Sequence, residues 1–366
     1  MRIAQIAPLY EAVPPRLYGG TERVIAALCD GLVGLGHEVT LFAAGGSDTC
    51  AELVAVTPAP LRAWMSRDEL TAIAPHLHLR MLRDVYQRAD EFDLIHSHAD
   101  IWTLPFTASS NTPTLITLHG RLDVPEARHA LEAYPDVPLV SISDAQRLPL
   151  LDTRVTWAGT VPNGLDLSSY HAASSRTERG RHLAFVGRIN PEKGPETAVE
   201  VAVRTGRRLR VAAKVDPFDV EYYSDVVDPL FRASRVDFVG EIGEADKPTF
   251  LASAAATLFP SDWPEPFGLV MIESMAAGTP VIALRRGSIP EVIVDGVTGF
   301  ICDDVDEMVD AVDRLDEIDP DECRRHVANF DARSMTARYA AIYAELVGSP
   351  IDRPLDDARR PPAPAA

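Results

Sequence analysis

The sequence predicts an α/β protein of two doubly wound, parallel-sheet domains facing each other across a cleft. Three observations predict it. Strand and helix patterns alternate from the first residues onward, the mark of β-α-β units and parallel sheets. The alternation restarts at "RHLAFVGRIN", which repeats the form of the opening stretch: a charged residue, an apolar run, then a turn. The 366 residues are too many for one ordinary core, so about two domains are expected. Each half therefore reads as Rossmann-like.

The elements follow in order. "RIAQIAPL" is a buried strand. "TERVIAALCDGLVGLG" has apolar residues at helical spacing (Val24, Ile25, Leu28, Leu32, Leu35) and a stop at Gly36. Thr21 is a plausible N-cap. "HEVTLFAAG" is the next strand, and "FDLIHSHA", "PTLITLHG", "PLVSIS" and "VTWAGTVPNG" are further ones, with helices between, including Asp84 to Ala89. "LSSYHAASSRTERGR" is polar and Ser-rich and reads as a linker or surface loop. After the restart come strands "RLRVAAKVD", "VDFVGEI", "ATLFPSD", "PVIAL" and "GFICD", with helices between them. The expected division is 1–165 and 166–332, then a helix over 333–347 returning toward the first domain, and a disordered Pro- and Ala-rich tail over 348–366.

Composition narrows the function classes. Hydrophobic content is 46%, charged content 24%, and net charge −19, a globular profile that disfavours nonspecific nucleic-acid binding. Cys29, Cys50, Cys302 and Cys323 are scattered, and no C-x-x-C suggests zinc or a redox dithiol. No apolar run has membrane-spanning length, and the N-terminus reads as a strand, so a cytoplasmic location is expected.

One stretch concentrates chemistry: "SDWPEPFGLVMIESMAAGTPVIALRRGSIPEV". Glu265 follows a buried strand, and a helix is expected to start near Phe267. The amides of Phe267, Gly268 and Leu269 fall where N–H groups lack intrahelical partners, which suits anions and polar oxygens. Gly268 admits a ligand close to the backbone. Glu273 lies eight positions after Glu265, so one ligand across the helix start meets both acids. Glu192 and Glu200 share that spacing and receive no role. Arg188 and Lys193, in "FVGRINPEKG", flank the end of the second domain's first strand, where open sheets bind ligands and two cations suit a diphosphate. Glu192 beside Lys193 also allows a plain solvated loop. Gly19 and Gly20 in "YGGTER" make a phosphate-friendly helix start or simply a tight turn, without the dinucleotide fingerprint.

His119 ends a strand facing the cleft and suits a sugar hydroxyl or a structural bond. His96 and His98 share a face and read as structural rather than as metal ligands. The D-x-D at 304–306 lies in an acidic surface run and reads as a decoy.

Together, "EPFGLVMIESMAAGTPVIA", "FVGRINPEKG", "YGGTERV" and "TLHG" resemble retaining glycosyltransferases of family 4, with GT-B architecture. The resemblance spans about Met1 to Tyr343. It implies a hexosyltransferase of carbohydrate biosynthesis, moving sugar from a UDP- or GDP-linked donor to a sugar, glycan or small-molecule hydroxyl, without metal or other cofactor. Glu265 then contacts the donor sugar, helped by the Phe267, Gly268 and Leu269 amides. Glu273 binds the ribose. Arg188 and Lys193 clamp the diphosphate, Gly19 and Gly20 approach it from the other domain, and His119 sits by the sugar.

One departure is "VAAKVDPFD", which stands where many members carry a Gly-Asp-Gly-Pro-like turn. Lys214 there adds a cation near the donor or only covers the surface. "EIGEAD" is expected to line the base pocket through backbone groups. "HLHLRMLRDVYQRA" is mildly basic and amphipathic, and reads as a solvated helix, so no strong membrane signal is present. Alternatives are a GT-B glycosyl phosphorylase, a sugar-nucleotide epimerase, or a nucleotide-sugar-binding protein without turnover. Base, sugar, acceptor and oligomeric state stay open.

Overall fold

The computed structural model describes residues 1–174 and 180–348. Two all-parallel sheets organise them. The first has seven strands in the order β3-β2-β1-β4-β5-β6-β7, where β1 is Arg2–Ile6, β2 Glu38–Ala44, β3 Glu52–Thr57, β4 Leu94–Ser97, β5 Thr114–Thr117, β6 Leu139–Ser141 and β7 Trp157–Thr160. The second has six in the order β10-β9-β8-β11-β12-β13. Here β8 is Leu183–Arg188, β9 Leu209–Lys214, β10 Asp237–Gly240, β11 Ala256–Phe259, β12 Val281–Leu284 and β13 Gly299–Cys302. Strands β4, β5, β6, β11, β12 and β13 are buried throughout, as parallel strands covered on both faces must be. In each sheet the order reverses beside the first strand, β1 or β8. That reversal opens a crevice at the carboxyl ends.

The last helix, Ala332–Gly348, carries buried Met335, Tyr339 and Tyr343. Its side chains reach the first sheet: Tyr343 Oη accepts from Gln5 Nε2 at 3.1 Å, and Tyr339 Oη lies 3.0 Å from Thr117 Oγ1. Further bonds tie the two halves. Ser143 Oγ donates to the Pro266 carbonyl at 2.7 Å, and the Asp144 and Ala145 amides donate to the Glu291 carboxylate at 2.8 and 2.6 Å.

Four expectations need correction. Strand β3 is absent from the sequence reading, because "ELVAVT" is a short edge strand whose residues are mostly half-exposed. Residues Ser168–Ser174 form a helix, where composition suggested a linker. Thr21 does not cap the first helix, Gly20–Gly34. Gly19 occupies the N-cap with no side-chain bond. The helix expected near Phe267 is Leu269–Ala276, with Gly268 at its N-cap in the left-handed region (φ 82). The rest of the Ser-rich stretch, 175–179, and the tail from 349 onward lie outside the described residues.

Candidate active site

A cleft of about 770 Å³ separates the two sheets, and all ten residues singled out from the sequence line it. They are Gly19, Gly20 and His119 on one side, and Arg188, Lys193, Glu265, Phe267, Gly268, Leu269 and Glu273 on the other. Two helix starts meet across this space. A Cβ added to Gly20 would lie 3.2 Å from Leu269 Cδ1, the first residue of the facing helix. At Gly268 the positive φ favours glycine, and an added Cβ would also press on Met271 Cε and Phe259 Cζ at 2.7 and 3.0 Å.

Glu265 is buried at 6% exposure. Its Oε2 accepts from Lys193 Nζ, from Trp263 Nε1 at 2.9 Å and from Ser261 Oγ at 3.2 Å. The Lys193 ammonium also sits over the Trp263 and Phe259 rings, 5.1 and 5.6 Å from their centroids. Three donors on one oxygen fix the carboxylate, and all three fall on Oε2. Arg188 Nε lies 3.3 Å from Asp219 Oδ2.

Glu273 is 2% exposed and forms the centre of a charged cluster. It is paired with Arg23 from the first helix and with Lys247 Nζ at 3.1 Å, and accepts from Tyr170 Oη at 3.1 Å. Burial would raise its carboxyl, but Lys247 and Arg23 outweigh that and hold it down at about 2. Glu244 shares both cations at 2.5 Å each. In the "EIGEAD" stretch, Glu244 thus sets its side chain against both cations of the cluster. Glu241 in it accepts from the Tyr18 amide at 2.8 Å. Lys214 pairs with Glu11 of the opposite domain at 2.9 Å, and Glu192, given no role above, pairs with Arg121 at 2.8 Å.

The three strand-end histidines divide. His96 has both ring nitrogens bonded, to Tyr343 Oη at 2.7 Å and Thr117 Oγ1 at 2.8 Å, and is structural. His98, expected to be structural only, also lines the cleft and bonds His119 at 2.8 Å. Burial pushes His119 down to about 4. The 304–306 acids are surface groups: Asp304 caps Val305–Asp313, and Asp306 pairs with Arg204.

Two family models match consecutive stretches that together run from 18 to 333. "Glycosyltransferase Family 4" matches 18–168, and "Glycosyl transferases group 1" matches 168–333. The chain is a family 4 glycosyltransferase.

Curated relatives include the D-inositol 3-phosphate glycosyltransferase of Corynebacterium efficiens, 25% identical over 91% of this chain and 92% of that protein. Its namesake from Mycobacterium tuberculosis is 26% identical over 70% of this glycosyltransferase and 62% of its own length. Among solved structures, AviGT4, a glycosyltransferase involved in avilamycin A biosynthesis, aligns with a TM-score of 0.69 at 26% identity, covering 95% of this chain and 98% of its own. Sucrose-phosphate synthase from Thermosynechococcus elongatus aligns at 0.76 and 20% identity, over 95% and 99% of the two chains. Anabaena HepE, solved with UDP and glucose, aligns at 0.72 and 19%, over 94% and 100%. The fold of this glycosyltransferase is GT-B. Among its described residues, no helix is long and apolar enough to cross a membrane.

The sequence reading of the glycosyltransferase missed several residues that line the cleft or lie buried behind it. Gln5 is a lone polar residue inside the apolar run of β1, and that interruption was the available signal. Arg23 carried none, because its partner Glu273 is 250 positions away in the chain, and Lys247 was passed over although Glu244 stands three positions before it. Asp100 has φ 55, and burial pushes its carboxyl up to about 6 against a bond from the Ile101 amide.

Glu22, also missed, yields a pH prediction. Burial pushes its carboxyl up to about 7, opposed by a backbone hydrogen bond, while Glu11 repels it and Arg62 and Lys214 attract it. The unfolded group ionises near 4.3. Between those values the unfolded chain has lost a proton that the folded protein keeps. Stability therefore falls as pH rises through that window and levels off above about 7. Glu22→Gln is expected to melt several degrees above the parent near pH 8, and with it near pH 4. Equal gains at both, read by calorimetry, would reject the burial argument.

Proposed function

We propose that this glycosyltransferase moves a hexosyl group from a UDP- or GDP-linked sugar to an acceptor hydroxyl, with retention and without a metal ion. The observation that carries this reading is the facing pair of helix starts, Gly20 against Leu269, beside the anchored Glu265–Lys193 pair. Two sets of unpaired helix amides and the cations Lys193 and Arg188 suit a departing diphosphate. Glu273, held ionised and in place, suits the ribose hydroxyls.

In this reading the bond from the anomeric carbon to the phosphate oxygen breaks first, building positive charge on the sugar ring and negative charge on the diphosphate. Glu265 answers the first charge, and Lys193 and Arg188 the second. The acceptor hydroxyl attacks on the same face, its oxygen bonds the anomeric carbon, and its proton passes to the leaving phosphate oxygen. In this reading Glu265 serves as an electrostatic group, its Oε2 held in place by three donors. The relatives' names suggest what to test first: UDP-glucose as donor and a phosphorylated inositol as acceptor.

The test is nucleoside diphosphate release from UDP-, GDP- and ADP-linked hexoses, with and without acceptors, in the presence of a chelator. Acceptor-dependent release from one donor is expected. Release that needs inorganic phosphate would point to a phosphorylase, and interconversion without acceptor to an epimerase. Lys193→Ala is expected to weaken binding of the nucleoside diphosphate about 10- to 100-fold by calorimetry, the loss of one charge-assisted hydrogen bond. Unchanged affinity would remove Lys193 from the diphosphate site.

A further inference from the structure

A chain of hydrogen bonds runs from the cleft through the first sheet to the last helix. His119 Nε2 lies 2.8 Å from His98 Nδ1, and His98 Nε2 lies 3.0 Å from Gln5 Oε1. Gln5 Nε2 donates to Tyr343 Oη at 3.1 Å, and Tyr343 Oη lies 2.7 Å from His96 Nδ1. Register explains the meeting, since Gln5 of β1 pairs with His96 of β4. Gln5, His96 and Tyr343 are fully buried, so no water competes for these bonds.

The Gln5 amide gives the chain a direction. Its oxygen only accepts, so His98 carries its proton on Nε2. A neutral ring has one such proton, which leaves His98 Nδ1 as an acceptor. His119 Nε2 must then donate, and the His119 Nδ1 is left without a proton. Toward the other end, Tyr343 receives a bond from Gln5 and gives its own hydroxyl proton to His96 Nδ1. The scheme requires neutral rings, and burial supplies that by pushing His96 and His98 well below the usual imidazole range and His119 down to about 4. A second proton on His98 would set two donors head to head.

We propose that Gln5, anchored by Tyr343 of the last helix, fixes His119 in the tautomer whose bare Nδ1 accepts a hydrogen bond from a sugar hydroxyl in the cleft. Gln5 and Tyr343 are positioning residues acting through His98. The identity of the hydroxyl rests on the proposed sugar transfer, whereas the tautomer does not. Turned over, Gln5 would donate to His98, every bond toward the cleft would reverse, and His119 would present an N–H instead. A hydroxyl that must give up its proton, or point its hydrogen away from the reacting carbon, meets a different surface in the two cases.

The test is nitrogen NMR of protein labelled with ¹⁵N-histidine, free of substrate, with His119 identified by signal loss in His119→Asn. An unprotonated Nδ1 and a protonated Nε2 are expected. Gln5→Leu should bring both signals toward averaged values and lower turnover about tenfold, the worth of one hydrogen bond, with donor KM little changed. Tyr343→Phe keeps the ring and its packing but frees the Gln5 amide, and should give the same drift if Gln5→Leu does not fold. A protonated Nδ1 in the parent, or parent-like His119 signals in a folded variant, overturns the inference even if the enzyme transfers sugar. The expected signals in a protein that turns over no nucleotide sugar would uphold it and sink the proposed function instead.

Discussion

Glu265→Gln is expected to lower turnover at saturating donor by about 10²- to 10³-fold, the usual cost of removing one preorganised group that answers transition-state charge. The isosteric amide still offers an oxygen to Trp263 and Ser261, so the loop keeps its shape. What disappears is the negative charge facing the developing cation on the sugar. Binding of the nucleoside diphosphate is expected to hold or tighten, because Lys193 no longer shares its charge with a carboxylate. That opposite movement separates a chemical role from simple damage, which would lower both. Near-normal turnover in this variant would take Glu265 out of the mechanism.

Gly287→Ala is expected to be the most damaging single-methyl change near the site. A Cβ there would lie 2.4 Å from both the amide nitrogen and the carbonyl oxygen of Glu265, and Gly287 has φ 53. Backbone against backbone cannot be relieved by turning a side chain. Overpacking costs about 1–3 kcal/mol and the left-handed conformation about 1–2 kcal/mol more. A fall in melting temperature of roughly 5–15 °C follows for a domain of this size, along with loss of turnover as Glu265 is displaced. Gly296→Ala is the control. Its φ is 70, but nothing lies within 4 Å of the added carbon, so only the conformational cost applies and turnover is kept. If the two variants melt alike and both remain active, the contact with Glu265 carries no weight.

Features written locally were legible in the sequence, and features made by distant pairing were not. The strand, acid, glycine and helix of 256–276 follow one another in the chain, so their chemistry could be placed before any fold was known. Gly268 announced a turn, and the turn needs its positive φ. Arg23 and Glu273 are 250 positions apart, and no local pattern says that the first helix supplies the counter-charge for an acid in the second domain. Gln5 and Tyr343 are 338 apart. Thr21 misled because a side-chain cap is the common solution, whereas here Gly19 stands at the cap and a Cβ would strike Pro15 at 2.8 Å. The Ser-rich composition around 168–174 hid a helix that Tyr170 buries against the core, just after buried Leu167.

The reach of the last helix back to β1 also sets a clock. A ribosome adding about 5–20 residues per second delivers Gln5 long before Tyr343 exists, with a gap of roughly 20–70 s at that pace. Until then the nascent first domain holds an amide, an imidazole and a threonine hydroxyl (Gln5, His96 and Thr117) with no phenol to meet them. Its seven-stranded sheet can assemble, but the groove awaiting Tyr339 and Tyr343 stays wet and open. The first half of this chain is therefore the last to be finished, and the waiting interval is when a chaperone or a neighbouring nascent chain finds it exposed.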